Sequence, residues 1–141
     1  MWSVSLDMSG IITVPQKVFH GQVVKSVAHE PILTQITSGS FKWQNVKGAS
    51  VYLQQFSIGA SGGNPIIRIK VNGEYWTATQ GGTGSGLVMN ETDITLYQIF
   101  TFQAANEDQE IEIPENASIE VTDVSGAGTI SIYALIAWGF T

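Results

Sequence analysis

Cysteine is absent from the chain, which excludes disulfides, thiolate metal ligands and cysteine nucleophiles and leaves the redox compartment open. Charge is scarce as well. Only 13% of residues are charged, against about 25% in ordinary domains, while 43% are hydrophobic, a composition for folding rather than disorder. Six lysines and arginines in a chain of net charge -6 cannot make the basic footprint that binds nucleic acid. No apolar run approaches the roughly 18–20 residues of a membrane span, and no basic stretch followed by an apolar one reads as a secretory signal at Met1. A sustained i, i+3, i+4, i+7 pattern is missing too, so long helices are not expected. What remains is an acidic, soluble protein of one domain spanning residues 1–141, with neither nucleic acid nor membrane as partner.

What is present is β-branched. Isoleucine and valine far outnumber leucine, and such side chains suit a pleated, half-buried surface. Period-2 alternation recurs throughout: Trp2, Val4, Leu6 and Met8; Ile67, Ile69 and Val71; and the longest row, Ile130, Ile132, Ala134, Ile136, Trp138 and Phe140. Turn chemistry separates these runs. Asn72-Gly73 predicts a type I′ hairpin, residues 61–65 and 80–86 are glycine-rich loops, and shorter turns fall at 106–109, 114–117 and 125–128. Turn signals every 8–15 residues predict an all-β, single-domain antiparallel sandwich of about eight to ten strands, most consistent with a jelly roll.

Catalytic motifs fail on context. Gly59-Ala60-Ser61-Gly62-Gly63 matches G-x-S-x-G, but Gly62 to Pro65 forbids the helix a nucleophile elbow needs, and both His20 and His29 precede the serine. The glycines of residues 81–86 lack the Gly-Lys-Ser/Thr ending of a phosphate loop. Two histidines are too few for zinc, and the residues around Glu107, Asp108 and Asp123 lack the calcium-loop pattern. Glu110 and Glu112 lie two apart on one strand face, a spacing that alone does not distinguish paired catalytic carboxylates from a solvated face. No enzyme, metal or cofactor is expected.

Charge and aromatic residues carry weaker signals. All six basic residues lie in 1–70 against two acids, a net of +4; residues 71–141 hold ten acids and no base, a net of -10. That asymmetry reads either as solvated strand faces or as an acidic edge meeting a basic one between subunits. Tyr75 and Trp76 follow the Asn72-Gly73 turn and point to opposite sides, so one is placed to stack on a sugar or to pack at a contact.

The stretch from Ile111 to Val121 (IEIPENASIEV), followed by Ser125 to Ile132 (SGAGTISI), resembles the closing strands of small jelly-roll virion accessory proteins of tailed bacteriophages: capsid decoration, head-fibre and vertex proteins. There an I-P-x-x-x-x-I-x-V edge strand leads through a glycine-rich turn into the final strand. The resemblance is carried mainly by residues 107–141. It implies a non-enzymatic structural protein, commonly a trimer, located in a virion and contacting the major capsid or another virion protein. The alternative is a carbohydrate- or receptor-binding sandwich, with Tyr75 or Trp76 stacking on a glycan.

Self-association has a source in the residues themselves. Opposite the final core row stand Thr129, Ser131, Tyr133, Leu135 and Ala137, apolar from Tyr133 onward. A second apolar row needs a cover, either a loop of the same chain or a second copy. The expectation is a homo-oligomer, preferably a trimer, with Tyr133 and Leu135 at the contact.

Overall fold

A computed structural model describes residues 2–3, 16–77, 88–89, 93–126 and 128–141. The alternating β-branched runs form strands β1 (Trp2–Ser3), β2 (Gln16–Phe19), β3 (Gln22–Val24), β4 (Ser26–Ile36), β5 (Gly39–Gln44), β6 (Val51–Ser61) and β7 (Ile66–Val71). They continue as β8 (Glu74–Thr77), β9 (Val88–Met89), β10 (Ile94–Thr95), β11 (Phe100–Gln103), β12 (Ile111–Ile113), β13 (Ser118–Asp123) and β14 (Thr129–Phe140). The helical content among the described residues is one 3-10 turn, Glu107–Gln109.

Two antiparallel sheets face each other. The first runs β4-β14-β6, with β11 and β12 sharing the far edge of β6. The second runs β5-β13-β7, with β8 and β10 sharing the free edge of β7 and β9 beyond β8. The chain passes back and forth between them, and the final strand β14 inserts between β4 and β6 while β13 inserts between β5 and β7. That is jelly-roll topology, eight strand positions in two four-position sheets. The fourteen strands among the described residues exceed the eight to ten expected for three physical reasons: two of the eight positions are each split into two short pieces, β9 adds a short strand beyond β8, and β1, β2 and β3 form a separate small sheet outside the sandwich.

Turn geometry follows the residues. Asn72 (φ +54°) and Gly73 (φ +76°) both take positive φ between Val71 and Glu74, the type I′ turn expected from the sequence. The β2–β3 hairpin repeats it with His20 (φ +48°) and Gly21 (φ +77°), a turn the sequence hides because histidine is not ordinary turn vocabulary.

The core lies between the sheets. Ile130, Ile132, Ala134 and Ile136 of β14 are buried, as their alternation predicts, against Val51, Leu53, Phe56 and Ile58 of β6 and Ile67, Ile69, Ile119 and Val121 of the second sheet. A bulge keeps β6 in phase. Leu135 pairs with Gln55 but Ile136 pairs with Leu53, so Gln54 is extra and both Leu53 and Phe56 face inward. The expected core row weakens at its end: Trp138 is half-buried but still packs against the core, and Phe140 is 49% exposed. Residues 138–140 pair only with β4, because the pairing of β14 with β6 stops at Ala137 near the start of β6, so only part of the sheet shelters them.

Candidate functional site

The open half of the first sheet's outer face is an uncharged surface built strand by strand. Register aligns Leu33, Tyr133, Ser57 and Thr101 in one row across β4, β14, β6 and β11. Pro31, Leu135, Gln55 and Gln103 form the next row, and Gln35, Ser131 and Gly59 another, with Ile99 beside Gly59. None of these residues is acidic or basic. Leu33 is 74% exposed and Ile99 57%, whereas Tyr133 and Leu135 are half-buried. Leu33, Gln35, Ser57, Gly59, Ile99, Ser131 and Tyr133 line a groove of about 560 Å³ on this face. Its floor is low because Gly59 and the two serines carry little side chain.

The same face is covered at its other end by the chain itself. Phe19 of β2 and Val24 of β3 pack on Ala137, which is fully buried, with Val27 and Tyr52 at the margin. Gly139 makes room for this cover: a Cβ there would stand 2.5 Å from Val24 Cγ1. Of the row read as a contact, then, Ala137 lies under its own chain, while no described residue of the chain packs over Leu33 and Ile99 of the open half.

The hairpin tip is fastened by a titratable cluster. His20 stacks flat on Tyr52, ring centroids 3.5 Å apart, while Phe19 meets both rings edge-on. His20 Nε2 lies 2.6 Å from Glu110 Oε1, and its backbone N–H donates to Glu107 Oε1 at 2.9 Å. Gln54, the bulge residue, donates to the other oxygen of Glu110 at 3.1 Å. Burial first, then the nearby charges of Glu112, Glu110 and Glu107, push the Tyr52 phenol above its ordinary value. Nothing local in the sequence marks His20 for this role: its partners are 87 and 90 positions away, and only the fold joins them.

The opposite outer face, on the second sheet, is charged, with the ion pair Arg68–Asp93 on it. Glu120 stands between Lys42 and Lys70 in register, and Ser40 Oγ and Thr122 Oγ1 are 2.9 Å apart. Arg68 donates twice to Asp93, at 2.8 and 2.9 Å, which holds the Asp93 carboxyl below its ordinary range and raises the guanidinium. Tyr75 lies on this face under Arg68 and Lys70, at 5.7 and 4.9 Å from its ring centroid. Trp76 takes the other side: it packs against the core and donates to Val71 O at 3.3 Å. The two residues read as a sugar platform are therefore on opposite sides of the sheet, and only Tyr75 is on the outer one.

The other motifs resolve structurally. Ser61 ends a strand and Gly62 turns away with φ +80°, so no helix follows it. Glu110 and Glu112 are held separately, the second by Ser50 at 2.6 Å. Asp123 points inward and its Oδ1 accepts from the Gly126 N–H at 2.6 Å, closing the turn before β14. Among the described residues no three histidine or acidic side chains converge as metal ligands. Among the described residues no helix is long and apolar enough to cross a membrane. Residues 4–8 and 80–86, read as strand and loop, lie outside the described residues.

The sequence matches no protein-family model and no curated protein. Among solved structures the chain is similar to a Bacillus endospore appendage, from a family described as disulfide-linked pili, at 9% identity and a TM-score of 0.44 over 89% of this chain and 96% of that one. It is similar to the Drosophila NLP core, described for pentamer formation and histone binding, at 10% identity and a TM-score of 0.33 over 77% and 96%. A chain from infectious bursal disease virus, Gx strain, matches at 14% identity and a TM-score of 0.25; 96% of this chain spans 37% of that one. Likenesses this distant transfer none of those proteins' biology to this chain.

Proposed function

We propose that the protein is a non-enzymatic structural subunit that assembles with copies of itself, preferably as a trimer, on the surface of a virion. The observation that carries the assembly reading is the open, uncharged half of the first sheet's outer face, with Leu33 and Ile99 exposed beside Tyr133 and Leu135. Copies of a chain with net charge -6 repel one another, and the open half of this face, which bears no ionised side chain, adds nothing to that repulsion. Apolar exposure of this kind marks interfaces, and an aromatic anchor such as Tyr133 concentrates the binding energy. Face contact is also favoured over edge pairing, since the edge strand β4 carries Pro31, which has no N–H to offer a neighbouring strand. The resemblance of residues 107–141 to virion accessory proteins supports the particle setting and a capsid protein as partner. Mass photometry at micromolar concentration tests the assembly: an oligomer is expected, reduced to monomer by Tyr133→Asp with Leu135→Asp in a protein that still melts cooperatively. A monomeric wild type refutes it.

A second reading has one observation in its favour. The groove of about 560 Å³ combines the Tyr133 ring with hydroxyl and amide groups and no charge, which suits a neutral glycan. Glycan-array binding abolished by Tyr133→Ala, in a protein that stays monomeric, would select it.

A further inference from the structure

The small sheet outside the sandwich behaves, in its chemistry, as an arm in a socket. Residues 16–25 form the β2–β3 hairpin, and none of its strands pairs with either sandwich sheet. A single residue, Lys25, joins it to β4, with its N–H donating to Phe140 O at 2.7 Å. The socket is shaped on the sandwich side. Gly139 leaves the space that Val24 fills, Ala137 forms the floor, and Tyr52 receives the His20 ring at 3.5 Å. Glu110, pinned from behind by Gln54, meets His20 at the tip.

Charge matches shape. The arm carries Lys17, His20 and Lys25 and no acid, whereas residues 107–115 beside the socket carry five acids and no base. Among the described residues no lysine or arginine pairs with any of those five carboxylates. Every arm–socket contact is tertiary, so the arm of one copy makes the same contacts in the socket of another once the link at Lys25 opens. Between copies of an acidic protein, a basic arm entering an acidic socket gives attraction where the rest of the molecule gives repulsion.

We propose that in the assembled protein the hairpin of residues 16–25 is exchanged, each copy's arm seated in the socket of a second copy. This rests on the self-assembly reading above and adds a second contact to the one at the open face. It also assigns the charge asymmetry of the chain, a net of +4 in residues 1–70 and -10 in 71–141, to recognition between subunits.

Cysteine trapping reads the exchange directly, because the native chain has no thiol to interfere. A Cβ on Gly139 lies 3.4 Å from Val24 Cβ, close to the about 3.5–4.5 Å of a disulfide. Full-length Val24→Cys and Gly139→Cys proteins are mixed, co-refolded and oxidised. The expected product is a covalent heterodimer, seen at twice the chain mass on a non-reducing gel and dependent on both variants. If Gly139→Cys alone does not fold, the double variant V24C/G139C serves: bonds between chains support exchange, and bonds formed only within chains overturn it. Mass photometry of the wild type separates the two proposals. An oligomer whose trapped bonds are all within chains overturns the exchange and leaves face-mediated assembly standing, while a monomer overturns both.

Discussion

Two outer faces of one sandwich, formed by strands of similar make-up, have opposite chemistry. On the second sheet Lys42, Glu120 and Lys70 alternate in sign across three neighbouring strands, and cross-strand pairs of that kind contribute roughly 0.2–1 kcal/mol each. Arg68 and Asp93 close a bidentate pair above Tyr75. That face therefore presents charges of both signs to water, one pair of them closed by hydrogen bonds. On the first sheet the same positions hold leucine, proline, tyrosine, serine and glutamine. Half of that face is covered by the hairpin and half stays open. This contrast between a charged face and one whose open half is uncharged and exposes Leu33 and Ile99 is what supports the proposed assembly.

The sharpest way to break the comparison is to lift the cover. Gly139→Val places a branched side chain where Val24 Cγ1 already sits 2.5 Å from a built Cβ, with Phe19 Cδ2 at 3.6 Å. Phe19 and Val24, now buried, would return to water, and each buried side chain of that size contributes roughly 1.5–3 kcal/mol. Loss of about 3 kcal/mol of docking corresponds to roughly a hundredfold faster amide exchange in β2 and β3. The sandwich strands should exchange as before. Unchanged protection in residues 16–24 would show that the seat does not depend on the glycine.

That seat also marks the limit of what the sequence discloses. The sandwich was legible because its signals are local: Ile130 to Ile136 alternate, Asn72-Gly73 supplies two positive φ angles, and glycine-rich stretches separate strands. The partial exposure of Tyr133 and Leu135 follows from the same alternation. Other features come from long-range register and left no local trace. The fully buried Asn45 donates to Ala49 O and Ile113 O and accepts from the Lys47 N–H, yet reads in sequence as an ordinary loop residue. Leu33 and Ile99 join the Tyr133 row only after β4, β6 and β11 assemble around β14. Tyr75 and Trp76 were separable to opposite sides from sequence, but not which one faces the core; that depends on Val71, whose carbonyl receives the Trp76 indole.

A pair of matched substitutions sharpens the contrast at a smaller scale. Leu33→Asp puts a charge at the centre of the open face, where two copies would bring it close to its own image. Association should weaken at least about tenfold, equivalent to roughly 1.4 kcal/mol. Lys42→Glu on the other face lies outside that contact, and its effect on association should stay below about twofold. Sedimentation equilibrium at several concentrations measures both. Equal effects from the two variants would remove the distinction between the faces.

The smallest expected effect is a pH response that divides along the same line. Asp93 has its folded value lowered, chiefly by the Arg68 hydrogen bonds, from an ordinary 3.8. A lowered folded value contributes stability that is present above 3.8 and lost as pH falls through the folded value, so acid weakens the pairing on the second sheet's face. Tyr52 has its folded value raised from an ordinary 10.0 by burial and by Glu112, Glu110 and Glu107. A raised value works in the other direction: its contribution is whole below 10.0 and lost as pH rises through the folded value, so alkali loosens the socket on the first sheet's face. Melting temperature against pH separates the two. Tyr52→Phe keeps the ring that Phe19 and His20 pack on, should leave the acid limb as in the wild type, and should flatten the alkaline limb. Asp93→Asn should cost a little at neutral pH, since Arg68 loses a charged acceptor, and should flatten only the acid limb, modestly because the pair is solvent-accessible. An alkaline limb unchanged by Tyr52→Phe would mean that the phenol is not held above its ordinary value, and that the carboxylates of Glu107, Glu110 and Glu112 exert no field at the socket.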